Sequence, residues 1–114
     1  LPASDYLMLS DVVVETSKTL TLSPGAFIRS AAGRKLLVSG SLQANGTSTQ
    51  RVRFGSTSPY PAAGNWLGIE VVAGGTATIS RARVEHATNG IFFNGGQGTV
   101  ANSLIRFNTN GIYV

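Results

Sequence analysis

Apolar positions along the chain come as short alternations and never as a long amphipathic stretch: Leu20/Leu22, Ile28, Leu36/Val38, Leu42/Ala44, Val52/Phe54 and Ile69/Val71. Alternation over four to six residues, bounded by Gly, Asn, Ser and Pro, marks strands with one buried face. No segment shows helical spacing. The alternations also repeat. Gly75 to Phe93 reads GTATISRARVEHATNGIFF and Gly96 to Val114 reads GQGTVANSLIRFNTNGIYV, so Asn89-Gly90-Ile91 returns as Asn110-Gly111-Ile112, and Val84 as Ile105. Gly68-Ile69 stands about one period further upstream, and Leu20-Thr21-Leu22 returns as Leu42-Gln43-Ala44. A period of a few tens of residues signals a repeat architecture. Three short strands per period predict an all-β fold, a right-handed parallel β-helix of four to five coils, with each strand pairing to its counterpart one coil away at about 4.8 Å. Leucine-rich repeats need recurrent Leu and a helical half, which are missing. A β-sandwich is the competing expectation.

The residues that set the period also carry a likeness. Val12-Val13-Val14, Leu20-Thr21-Leu22-Ser23-Pro24-Gly25, Leu42-Gln43-Ala44-Asn45-Gly46-Thr47, Val52-Arg53-Phe54-Gly55-Ser56 and Trp66-Leu67-Gly68-Ile69 follow one another in that order. The chain thereby resembles right-handed β-helix repeat proteins of the pectin-lyase-like superfamily, over nearly its whole length. The resemblance implies a secreted or surface-attached protein, hence an extracellular or cell-surface location. It implies no single activity, because the fold hosts lyases, hydrolases, epimerases, adhesins and passive stalks.

Composition narrows the chemistry. The 114 residues carry 9 Lys+Arg against 5 Asp+Glu, a net charge of +4, with 14 Gly and no Cys. Thiol catalysis, thiolate metal sites and disulfides are excluded. The cations are dispersed apart from Arg34-Lys35, so no phosphate-tracking stripe forms and nucleic acid is not an expected partner. No apolar run reaches the length of a membrane span. The carboxylates Asp5, Asp11, Glu15, Glu70 and Glu85 form no adjacent pair for acid/base glycoside hydrolysis and no calcium cluster. Gly95-Gly96-Gln97-Gly98 is followed by Thr99 where a calcium repeat needs an acid, and His86 is the lone His. No catalytic residue, metal ligand or cofactor is expected.

Stacking of coils predicts columns of outward side chains. One is expected to align Arg29, Arg53, Glu85 and Arg106, as an ion-pair ladder or an anion-binding strip. A second aligns Leu37, Glu70, Phe92 and Tyr113, with Ile91, Phe93, Ile112 and Val114 turned inward. Its stacked aromatics beside a carboxylate are a candidate surface for polysaccharide, since aromatic faces pack on the C–H faces of sugars. Asn89-Gly90 and Asn110-Gly111 are expected in turns with positive φ, their amides bonding up the stack. Asn45-Gly46-Thr47 reads first as a turn and second as a glycosylation sequon. The loop Gly55 to Asn65 is expected to protrude, with Tyr60 and Trp66 as further ligand-contacting candidates, Trp66 also being suited to packing over the coil below.

The chain stops within the strand Gly111-Ile112-Tyr113-Val114, which predicts further coils or a stacked neighbour, residues 1–114 then being one domain of a longer β-helical assembly. The functional expectation is a non-catalytic structural or adhesive segment, self-associating through its open ends. The alternatives are the N-terminal part of a carbohydrate-active β-helix enzyme and a carbohydrate-binding module.

Overall fold

The computed structural model describes residues 1–114 as a parallel β-solenoid of about five turns, without helix. The first turn holds β1 (Asp5–Met8), β2 (Val12–Val14) and β3 (Thr19–Leu22), and the second β4 (Phe27–Ser30), β5 (Lys35–Val38) and β6 (Ser41–Asn45). The third holds β7 (Val52–Ser56), β8 (Trp66–Val72) and β9 (Thr76–Ser80), and the fourth β10 (Ala82–Glu85), β11 (Ala87–Asn94) and β12 (Gln97–Ala101). β13 (Leu104–Arg106) and β14 (Asn110–Tyr113) form the last. Three sheets result: β1-β4-β7-β10-β13, β2-β5-β8-β11-β14 and β3-β6-β9-β12, here sheets A, B and C. Parallel pairing throughout these sheets disposes of the sandwich.

Register follows from burial. A one-residue slip would turn each strand's apolar set to solvent, so the pattern fixes the pairing. Tyr6, Ile28, Phe54, Val84 and Ile105 stack inward on sheet A. On sheet B the inward column is Val12, Leu36, Ile69, Ile91 and Ile112. Leu22, Ala44, Ile79 and Val100 complete it on sheet C. Phe54, Trp66, Leu36, Leu42, Ile69, Ile79 and Ile91 are fully buried, and they fill the middle turns. The core is continuous along the axis, and each turn touches only its neighbours.

Two corners are single residues held in the left-handed region. Arg81 (φ 49°) joins β9 to β10 and His86 (φ 65°) joins β10 to β11, while Asn102 (φ 52°) and Phe107 (φ 56°) take the corresponding corners one turn later. The His86 N–H donates to the Phe107 carbonyl at 3.2 Å, and the two rings stack at 5.8 Å. The lone His is thus a corner residue.

The Asn-Gly pairs are not turns. Asn89-Gly90 lies inside β11 and Asn110-Gly111 inside β14, and neither glycine has positive φ. Asn89 faces Gly68 and Ile91 faces Ile69, which leaves Gly90 as the extra residue of a bulge. Glycine stands there because a Cβ at Gly90 would lie 2.7 Å from the Gly111 carbonyl oxygen. The expected amide ladder is present, Asn110 Nδ2 donating to Asn89 Oδ1 at 2.9 Å.

Candidate functional site

The outward face of sheet B gathers the most varied chemistry. Val13, Leu37, Glu70, Phe92 and Tyr113 stand in one column, because each follows an inward residue of the Val12-to-Ile112 column. The Phe92 and Tyr113 rings stack with centroids 5.0 Å apart and planes 15° from parallel. Stacking at one strand spacing is the arrangement that in-register aromatics adopt when nothing intervenes. Tyr113 keeps about half of its surface in solvent.

Below the rings, Glu70 is held at both oxygens. Lys35 Nζ donates to Oε1 at 2.9 Å and Asn94 Nδ2 donates to Oε2 at 3.0 Å. The Asn94 hydrogen bond, together with the hydrogen bond and positive charge of Lys35, brings its pKa below the usual carboxylate value against the opposing effect of burial. Glu70 is therefore an acceptor at neutral pH and holds no proton to donate. Beside it opens a hollow of about 200 Å³, lined by Lys35, Leu67, Gly68, Glu70, Asn89 and Phe92. A flat aromatic surface flanked by an ammonium, a carboxylate and amides can hold a hydroxylated ligand and orient it. No second carboxylate converges on Glu70: Glu85 lies on sheet A, ion-paired to Arg106 at 2.7 Å.

Other expected positions fall elsewhere. Trp66 is fully buried and its Nε1 donates to the Glu85 carbonyl at 2.8 Å, so it packs in the core and offers no ligand surface. A large ring with one polar atom is held this way wherever a backbone acceptor lies within reach. Tyr60 is exposed on the loop between β7 and β8, outside the lining of the Glu70 hollow.

The expected Arg29, Arg53, Glu85, Arg106 column is two columns. Ile28 stacks on Phe54, so Arg29 faces Gly55, and Arg53 falls in the neighbouring column between Phe27 and Arg83. Glu85 faces Arg106, while Arg29 pairs with Asp5 at 3.2 Å. Arg29 follows its inward neighbour Ile28, whereas Arg53 precedes Phe54, so the two side chains fall two positions apart. The structure adds Lys35, Asn94 and Arg83 to these surfaces. Their signal was the Leu36/Ile69/Ile91 and Phe54/Val84 alignments carried one to three residues outward.

No group of three or more metal-ligating side chains converges in the chain. No family model, curated protein or solved structure matches it.

Proposed function

We propose that the chain is a non-catalytic structural or adhesive module of the pectin-lyase-like β-helix class, belonging to an extracellular or cell-surface protein, and that it associates end to end with a second copy. The observation that carries this reading is that the core columns run out to both end turns. Val12 at one end is 38% exposed and Ile112 at the other 50%, whereas Val114, expected inward, lies past β14 and is 88% exposed. An apolar hollow of about 240 Å³, lined in part by Tyr6, Val12, Leu20, Ile28 and Leu36, opens into the first turn. The end strands also carry backbone donors and acceptors on one free edge, which template further parallel pairing.

A second copy suits these ends because its first turn repeats the inward columns that the last turn presents. Such a contact is head to tail and does not close, so it builds filaments. Light scattering over a wide concentration range tests it. Mass should grow with concentration and Ile112→Lys should hold the chain monomeric; a constant monomer mass for the unaltered chain refutes it.

A second reading, carbohydrate binding, is supported by the Phe92/Tyr113 stack above the Glu70 hollow. It suits a carbohydrate-binding module or the opening coils of a polysaccharide-active enzyme. Glycan-array binding lost in both Phe92→Ala and Tyr113→Ala would favour it; absence of binding by the unaltered chain would exclude it.

A further inference from the structure

Sheet A turns four guanidiniums outward and neutralises only two. Arg29 meets Asp5 at 3.2 Å, and Arg106 meets Glu85 at 2.7 Å, one carboxylate for each cation. Arg53 and Arg83 take part in none of the chain's ion pairs. They face each other directly across the β7–β10 pair. Their backbones are thus about one strand spacing, roughly 4.8 Å, apart. Like charges placed opposite one another in a sheet repel and destabilise the pairing.

The two side chains are also held in place. The Arg53 guanidinium lies 4.1 Å from the centroid of the Phe27 ring, which Arg29 approaches at 4.6 Å. The Nε atoms of Arg29, Arg53 and Arg83 are buried with no hydrogen-bond partner. The Nε edge of each of these side chains is thus closed to solvent while no protein acceptor reaches it. Burial without a partner is costly for any polar group and more so for a charged one. An acceptor bound at the outer edges of the two guanidiniums would offset the repulsion between them.

The geometry points to an oxyanion site formed by Arg53 and Arg83 on the outer face of sheet A, taking a doubly charged tetrahedral group: free sulfate or phosphate, or a phosphate monoester. A carboxylate matches one guanidinium, as Asp5 and Glu85 do on the same face. Two cations in register require two negative charges and more acceptor oxygens, which a tetrahedral dianion supplies within one strand spacing. The site lies on a different sheet from the Glu70 hollow and does not depend on the end turns.

Titration of the chain with sodium sulfate, followed by the Arg Nε–H resonances and compared with sodium chloride at matched ionic strength, tests the site. The Arg53 and Arg83 signals should move together and saturate, while that of Arg34 should not follow. Arg53→Gln and Arg83→Gln should each weaken binding about tenfold, the loss of one charge-assisted partner. Circular dichroism checks that both variants fold, and Arg83→Lys, which keeps the charge, should lose less than Arg83→Gln. A parallel titration at slightly alkaline pH with dextran bearing phosphate monoesters, which are then dianions, separates the sources: saturable binding of the free ion identifies a free-ion site, and binding of the polymer alone, abolished by the double Gln variant, identifies an ester on a chain. Failure of both ligands, or equal responses from the unaltered chain and the double variant, overturns the proposal. The second result would reduce the effect to the general stabilisation by excluded sulfate.

Discussion

Gly68→Ala is the substitution that most directly probes how the turns are stacked. Gly68 has φ +111°, and a Cβ built on it would lie 1.7 Å from the Asn89 carbonyl oxygen in the turn above. Two separate costs follow. The backbone conformation alone disfavours a side chain by about 1–2 kcal/mol. The overlap is worse, because the obstructing atom belongs to backbone. Restoring an ordinary contact needs β8 and β11 to part by about 1.5 Å, a large fraction of the roughly 4.8 Å strand spacing. Two or three ladder hydrogen bonds would be lost, each contributing about 0.5–1.5 kcal/mol, together with some packing around Ile69 and Ile91. The expected loss is about 3–5 kcal/mol, against the 5–15 kcal/mol typical of a whole domain. Gly74→Ala is the matched control: φ is +85° there, but nothing lies within 4 Å of the added carbon, so only the first cost applies. Equilibrium urea denaturation of both variants, followed by circular dichroism, measures the difference. If Gly68→Ala lowered stability no more than Gly74→Ala does, the close approach of the third and fourth turns would be wrong.

Position along the axis should govern the effect of truncating a core column. Ile91→Ala, in a middle turn, should lose about 3–4 kcal/mol, whereas Ile112→Ala, same column but half exposed, should lose under about 1.5 kcal/mol; equal losses in urea titrations would contradict the stacking order. Glu70 adds a pH signature. Its pKa is lowered in the fold by Asn94 and Lys35, so its contribution is present above the ordinary carboxylate range and disappears as pH falls through the depressed value. The stability difference between the unaltered chain and Glu70→Gln should therefore be widest near neutrality and close in acid, and a difference that is flat with pH would remove Glu70 from the ion pair.

Much of the architecture was legible because period-two burial and a repeating register constrain each other. Ile91 over Ile112, and Leu22 over Ala44, are plain from the repeat, and every outward residue on those strands then takes its place. The Glu70–Phe92–Tyr113 column followed directly. Sheet A is harder to read, since residues 46–51 between β6 and β7 lengthen the interval from Ile28 to Phe54, and Gly55 instead of Arg53 then stands level with Arg29. The Asn-Gly pairs misled for a different reason. Local propensity favours a turn there, yet pairing with the adjacent turn holds each pair within a strand, and at Gly90 the glycine answers crowding instead of backbone sign. The Lys35–Glu70–Asn94 arrangement joins three successive turns through long side chains, and no single strand's pattern encodes it.

The segment between β7 and β8 departs from the solenoid's perimeter and returns to it under local anchors. Asn65 closes its base by accepting from the Ala62 N–H, Gly64 N–H donates to the Ala87 carbonyl, and Tyr60 stands almost free at the outside. Extra length inserted beside Tyr60 would cost little closure entropy and would leave the helical pitch alone. Evolution, or an engineer grafting an epitope, could therefore rewrite this bulging segment wholesale while the frame that displays it stayed the same.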